Sequence, residues 1–284
     1  MATPSAVSPP RPEAAAPTGL GIRLSGVTCS TFWAREEPLD SGNPQVTREI
    51  LEAFGRGGEI EERRSRRGNS FITMGEDLLR LAGGPPPQAD AVILAYQVPD
   101  LHSPDVAGCY FAQRFAGGPV PLSIDEQGPG AAFTALRVAD AMFRLGELRR
   151  VALFAYDQNA AVWESCEDVQ SLPDSAVLLL LGASGSVAVE EITECETADP
   201  GDAVAESLSR HPRARAVVGR SLMDQLGTMV VHERVIPAPR EHLFTAAWMS
   251  LARLWPLRGP VLVADFNTKT SRFYSCLLVP EERP

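Results

Sequence analysis

The chain has 284 residues, 44% of them hydrophobic and 22% charged, an ordinary globular composition with material for one large core or two fused half-domains. A formal net charge of −10 speaks against nucleic acid as a partner, because phosphate backbones select basic surfaces, and more weakly against an anionic membrane surface. The cysteines at 29, 109, 166, 195 and 276 form no CxxC and no zinc spacing, so a reducing, cytoplasmic compartment is expected, with no metal site and no cofactor.

Met1–Thr18 is rich in Pro, Ala and Ser and has no apolar stretch; it reads as a disordered tail, not as a signal peptide or anchor. No apolar run is long enough to span a bilayer. A strand is expected over Gly21–Thr28, then a helix at Pro44–Phe54 closed by Gly55, Gly57 and Gly58, and a dense charged run at Glu59–Arg67. Met74–Leu81 reads as a short helix and Ala91–Tyr96 as a buried strand. The loop Val98–Asp105 leads into a helix at Val106–Phe115, followed by strand Val120–Ile124. The helix Ala131–Leu145 has its polar residues Thr134, Arg137, Asp140 and Arg144 on one thin stripe, so burial on nearly all sides is expected. Strand Val151–Tyr156 closes the first half.

The second half reads as a strand pair, Ala176–Leu181 and Ser186–Ile192, turned by Gly182–Gly185. Helix Asp202–Arg210, strand Ala216–Val218, helix Ser221–Leu226, strand His232–Ile236, helix Leu243–Leu254 and strands Val261–Phe266 and Phe273–Val279 follow. "PLSIDEQGPGAAFTALRVADAMFRLGELRRVALFAYD" and "RVIPAPREHLFTAAWMSLARLWPLRGPVLVADF" share one plan of strand, turn, small-residue helix, Arg/Gly turn and apolar strand. A repeat of about half the chain implies two halves related by a pseudo-twofold: residues 19–175 and a compressed 176–284 after the 1–18 tail.

These segments resemble ketoacyl-ACP synthase III of the thiolase-like superfamily. "DAVILAYQVPDLHSPDVAGCYFAQRF" is similar to its strand, dimer loop and helix; "PLSIDEQGPGAAFTALRVADAMFRLGELRRVALFAYD" to its nucleophile strand, turn and buried helix; "LLLLGASGSVAVEE" to the hairpin opening its second half. The resemblance implies an α/β, five-layered αβαβα fold. In that family a Cys at the buried helix N-terminus is acylated, and a His and an Asn stabilise the enolate formed on decarboxylation. Carried across residue by residue, the resemblance puts Gly128 at the Cys position, or Gln127 in a register shifted by one. It puts Arg220 at the His and Leu243 at the Asn, with His242 beside it. Neither Gly128 nor Gln127 can attack a thioester, and the His and Asn positions are lost as well, so the triad is read as degenerate; Asp125, Glu126, Gln127 and His242 are the candidates for residual chemistry.

Other residues carry two readings each. Gly128-Pro129-Gly130 is a tight turn allowing close packing, or an oxyanion cradle from which Pro129 removes a donor. Asp125 and Glu126 are helix-capping charges or, if buried, a general base. Asp100, His102, Ser103 and Asp105 are a solvated loop, or an interface loop lending a polar group to a partner's acyl pocket. Arg63, Arg64, Arg66 and Arg67 are self-paired with Glu59, Glu61 and Glu62, or meet the phosphates of coenzyme A or an acidic acyl carrier protein. Gly182–Gly185 lacks the lysine of a phosphate loop, and Cys29 and Cys109 read as small core residues. The resemblance implies a dimer. A homodimer would hold two empty sites, so the expected partner is a ketosynthase III-like chain that keeps its triad, in fatty-acyl or polyketide-type secondary metabolism. An enzyme of altered chemistry, or a carrier-protein scaffold, is the alternative.

Overall fold

The computed structural model describes residues 21–33, 37–38, 52, 67–83, 88–98, 100, 104–125, 127–159, 172–226 and 233–281. The helix expected at Pro44–Phe54, apart from Glu52, lies outside them. The first half contains β1 (Arg23–Phe32), α1 (Phe71–Leu81), β2 (Ala91–Tyr96), α2 (Pro104–Arg114), β3 (Val120–Ile124), α3 (Ala131–Arg144), β4 (Arg150–Asp157) and β5 (Asp174–Gly182). The second contains β6 (Val187–Glu196), α4 (Pro200–Arg210), β7 (Arg215–Val218), α5 (Arg220–Leu226), β8 (Val235–Pro237), α6 (Ala246–Leu254), β9 (Val261–Asn267) and β10 (Arg272–Pro280). A separate two-residue bridge joins Glu37–Pro38 to Arg67–Gly68.

The strand order shows the duplication directly. The first five strands lie in the order β1-β5-β4-β2-β3 and the last five in the order β6-β10-β9-β7-β8, so the same permutation is used twice. The directions match as well. β1/β5 and β5/β4 are antiparallel while β4/β2 and β2/β3 are parallel, and the corresponding pairs of the second half repeat this. Among the described residues the two leaves are joined as one sheet through β1 and β6, where Arg23 pairs with Ala188 and Leu24 with Val187. Gly185 makes this seam possible, because a Cβ there would lie 2.5 Å from the backbone of Leu24.

The period-two alternation of the strands sorts side chains into three packed interfaces. On one face of the first leaf, Val92, Leu94, Tyr96, Phe154 and Tyr156 pack against α1 and α2. On the other, Ile93, Ala95, Leu153, Val177 and Leu179 share a core with α3, α6 and the inner residues Val217, Val261, Val263 and Cys276 of the second leaf. The outer residues Ala216, Val218, Leu262, Ala264 and Phe266 pack with Val204 and Leu208 of α4 and Leu222 and Leu226 of α5. The layers are therefore helix, sheet, helix, sheet, helix. Small residues let α3 fit between two sheets: Ala131, Ala132, Ala135 and Ala139 are all fully buried.

Three expectations are revised. β5 and β6 are consecutive but do not pair with each other. β1 lies between them, and β5 closes the first leaf against β1 and β4. Consequently Gly182–Gly185 is a crossing turn between the leaves, and the division at 175/176 falls inside β5. The burial of α3 holds for its first turns and fails at its end, where Ala141 and Arg144 are exposed and the following Leu145 is 73% exposed. Cys109 is exposed on α2 and not in the core, whereas Cys29 is half-buried and its thiol is pushed up by burial, with Arg253 opposing.

Candidate functional site

Two turns open the central helices, and each is held by the last residue of a strand in the opposite half. Before α3, Gln127 precedes a single tight turn, Gly128–Gly130, closed by Gly130 N–H donating to Gln127 O at 3.1 Å. Gly128 has φ +54°, in the left-handed region that disfavours any side chain. A Cβ on it would also lie 3.1 Å from Asn267 Nδ2. Gly130 is required for a different reason: a Cβ there would overlap the Tyr274 ring at 2.5 Å. Asn267, the last residue of β9, donates from Nδ2 to Gln127 O at 3.2 Å.

The turn before α6 is anchored in the corresponding way. Asp157, the last residue of β4, is buried and accepts from Leu243 N at 3.0 Å, Phe244 N at 3.1 Å, Thr245 N at 2.9 Å and Thr245 Oγ1 at 2.8 Å. Ser175 on β5 extends the network, with its Oγ 2.7 Å from Thr245 Oγ1. In register, Val151 of β4 faces Ala91 as Val261 of β9 faces Arg215, so Asp157 and Asn267 occupy the same station in the two halves. Burial pushes the Asp157 carboxyl above the ordinary range, and its hydrogen bonds from Thr245, Leu243 and Phe244 oppose that.

The third turn follows β7. Asp265 of β9 is buried and accepts from Phe266 N at 2.8 Å and Leu222 N at 3.1 Å, which fixes the start of α5. Gly219 leaves room for it: a Cβ there would be 2.0 Å from Asp265 Oδ2. Burial pushes the Asp265 carboxyl up to about 7, with Asp157 and Asp224 adding to the rise and the two N–H donors opposing it. Next in the chain, Arg220 donates from Nη1 to Arg240 O at 2.9 Å, tying this turn to the segment that carries His242 and Leu243.

Gly128, Arg220 and Leu243 therefore sit on three turns at the C-terminal ends of the parallel strands, laced together by Asn267, Asp157 and Arg240. None is a nucleophile. His242 is fully buried. Burial holds its imidazole below the usual range, with Glu241 opposing and Arg253 adding to the depression. Its Nε2 lies 3.4 Å from Thr31 Oγ1, and its Nδ1 has no partner among the described residues.

The remaining sequence candidates are scattered. Asp125 is exposed and accepts from Tyr96 Oη at 3.3 Å, so it caps no helix; Glu126 lies outside the described residues. The Gln127 side chain accepts from Thr134 Oγ1. Asp100 turns inward, accepting from Phe71 N at 2.9 Å and Gln158 Nε2 at 3.1 Å at the start of α1. His102 and Ser103 lie outside the described residues; Asp105 is in the first turn of α2, and its side chain is not described. Arg67 is exposed, and Arg63, Arg64 and Arg66 lie outside the described residues. Among the described residues no cluster of His, Cys, Asp and Glu could hold a metal ion, and no helix is long and apolar enough to cross a membrane. Asp157, Asp265, Asn267, Ser175 and Thr245 escaped the sequence reading. For Asp157, Asp265 and Asn267 the available signal was a polar residue in the last residues of an apolar strand; Ser175 and Thr245 carried no such signal.

A five-layered sandwich of two like halves, with helix-opening turns meeting at strand ends, is the thiolase-like fold. Among solved structures, the chain is similar to the 3-oxoacyl-(acyl carrier protein) synthase III FabH of Pseudomonas aeruginosa PAO1, with TM-score 0.58, 14% identity, and 93% of this chain and 100% of that one covered. It is similar to the tetronic acid condensing enzyme AbyA1, with TM-score 0.61, 13% identity and coverage of 92% and 100%. It is also similar to OleA of Xanthomonas campestris, one structure of which holds lauric acid and lauroyl-CoA, with TM-score 0.61, 8% identity and coverage of 91% and 99%. No protein-family model matches the chain, and no curated protein matches it by sequence.

Proposed function

We propose that this chain is a non-catalytic ketosynthase III-like subunit that pairs with a catalytically competent ketosynthase and shapes its acyl pocket. The pathway would make a fatty-acyl or polyketide-type product. The observation that carries this reading is the nucleophile turn. At its Gly128 position the backbone is left-handed, and the space a side chain would need is bounded by Asn267. The Arg220 and Leu243 positions are likewise committed, one through its guanidinium to Arg240 O and the other through its backbone to Asp157. Three departures in three turns amount to a scaffold kept without its reacting groups. The similar structures, a tetronic acid condensing enzyme and an OleA with bound lauric acid and lauroyl-CoA, support a pathway of this chemical class. The free edge of the first leaf supports pairing. β3 ends the sheet order, and Val120 on it is 53% exposed.

Co-expression with a ketosynthase III-like chain that keeps Cys, His and Asn tests the reading. The expected result is a stable heterodimer and condensation of acyl thioesters only by the pair. Thioester turnover by the isolated chain, lost in Glu126→Gln or His242→Ala, would instead establish an enzyme of altered chemistry.

A further inference from the structure

A strongly cationic concavity lies at the other end of the second leaf. Arg213 and Arg215 at the start of β7, Arg253 near the end of α6 and Arg258 before β9 converge on a cavity of about 530 Å³, walled also by Trp255. An adjoining cavity of about 700 Å³ shares Arg213, Arg258 and the Pro256–Pro260 segment. All four arginines are exposed, and none of their guanidinium groups forms an ion pair or hydrogen bond with a described residue. Among the described residues the first cavity has no carboxylate in its wall, and the one described carboxylate of the second, Glu281, is taken by Arg23 at 2.6 Å. Two segments, Arg213–Arg215 and Arg253–Val261, thus bring together four cations that no described carboxylate pairs, in a chain whose net charge is −10. Like charges gathered in a concave wall repel one another, and a bound polyanion removes that cost.

We propose that this cavity binds a ligand carrying a diphosphate group, with a flat ring against Trp255. Guanidinium forks match phosphate oxygens two at a time, so four of them suit two phosphates better than one. A half-buried indole beside them offers a face for a nucleobase-sized ring. The volume lies within the usual range for small-molecule sites. The site is separate from the nucleophile turn. β9 runs from Val261 at the cavity to Asn267 at the nucleophile turn, six steps of about 3.3 Å each, or about 20 Å.

Calorimetric titration of the full chain with pyrophosphate and with ADP tests this. Both are expected to bind, more weakly as salt rises, with ADP tighter than pyrophosphate through Trp255 and adenosine alone not binding. Arg213→Glu with Arg258→Glu is expected to weaken both by about tenfold or more, the loss of at least one charge-assisted hydrogen bond. Arg213→Lys with Arg258→Lys retains part of the affinity, which separates lost charge from lost folding, and Arg220→Ala binds as the unmodified chain does. Absence of binding by both ligands overturns the proposal, even if an acidic protein is found to dock there. So does binding that survives the double charge reversal, or binding lost on Arg220→Ala.

Discussion

Asp265→Asn is expected to stabilise the protein in a strongly pH-dependent way. In the native state the carboxyl is pushed from its ordinary 3.8 to about 7, first by burial and then by Asp157 and Asp224. A raised native pKa means that the folded chain holds this proton more tightly than the unfolded one. The stabilisation from protonating it is complete below the unfolded value, falls as pH rises towards the folded value, and is gone above it. Each pH unit in that window costs about 1.4 kcal/mol, so ionising a buried Asp265 costs up to about 4 kcal/mol at neutral pH and above. Asn at this position still accepts from Leu222 N and Phe266 N, as the carboxyl does now, but cannot ionise. Urea unfolding of both proteins at about pH 5 and about pH 8 isolates the term, since all other groups cancel in the difference. The advantage of the Asn variant should grow by about 2–3 kcal/mol between the two conditions. An advantage that is the same at both, or that shrinks as pH rises, would refute a raised Asp265.

Asp157→Ala leaves three buried N–H groups and the Thr245 hydroxyl without their acceptor. A loss of about 3–5 kcal/mol is expected, with faster amide exchange at Leu243–Thr245; unfolding at the unmodified protein's urea midpoint would show that Asp157 does not anchor this turn. Gly128→Cys puts a side chain at φ +54° against Asn267 Nδ2. It should cost about 1–2 kcal/mol, and intact-mass measurement with an acyl-CoA should find no acyl adduct; an adduct mapped to the introduced thiol would show that the turn can still present a nucleophile.

The sequence was most legible where periodicity meets burial. Ala91–Tyr96 and Val120–Ile124 are strands with the bounds expected, because an apolar run between turn residues has few other ways to satisfy its backbone. The repeat in the chain foretold the repeated strand permutation. What stayed hidden depends on contacts far apart in sequence. β1 inserts between β5 and β6, displacing the hairpin that their four-residue turn suggests. Asp157 meets a turn 86 residues away and Asn267 one 140 residues away. Asp125 and Asp100 looked like site residues because they are acidic and close to the nucleophile turn or interface loop in sequence. Folding commits the first to Tyr96 and the second to the start of α1.

The two strand-end anchors do the same work with opposite hydrogen-bond polarity, and the turns explain why. The turn before α6 presents three N–H groups, at Leu243, Phe244 and Thr245, and a carboxylate, which only accepts, meets all of them. The turn before α3 has lost one donor to Pro129 and uses that of Gly130 on Gln127 O, so what it offers the opposing strand is that carbonyl. An amide, which can donate, fits there and a carboxylate would not. Each half thus carries the anchor that the other half's turn requires, and exchanging Asp157 and Asn267 would mismatch both. A site built for chemistry leaves polar groups aimed at the space where a substrate will sit. Asp157 and Asn267 are instead committed to turns of the chain itself.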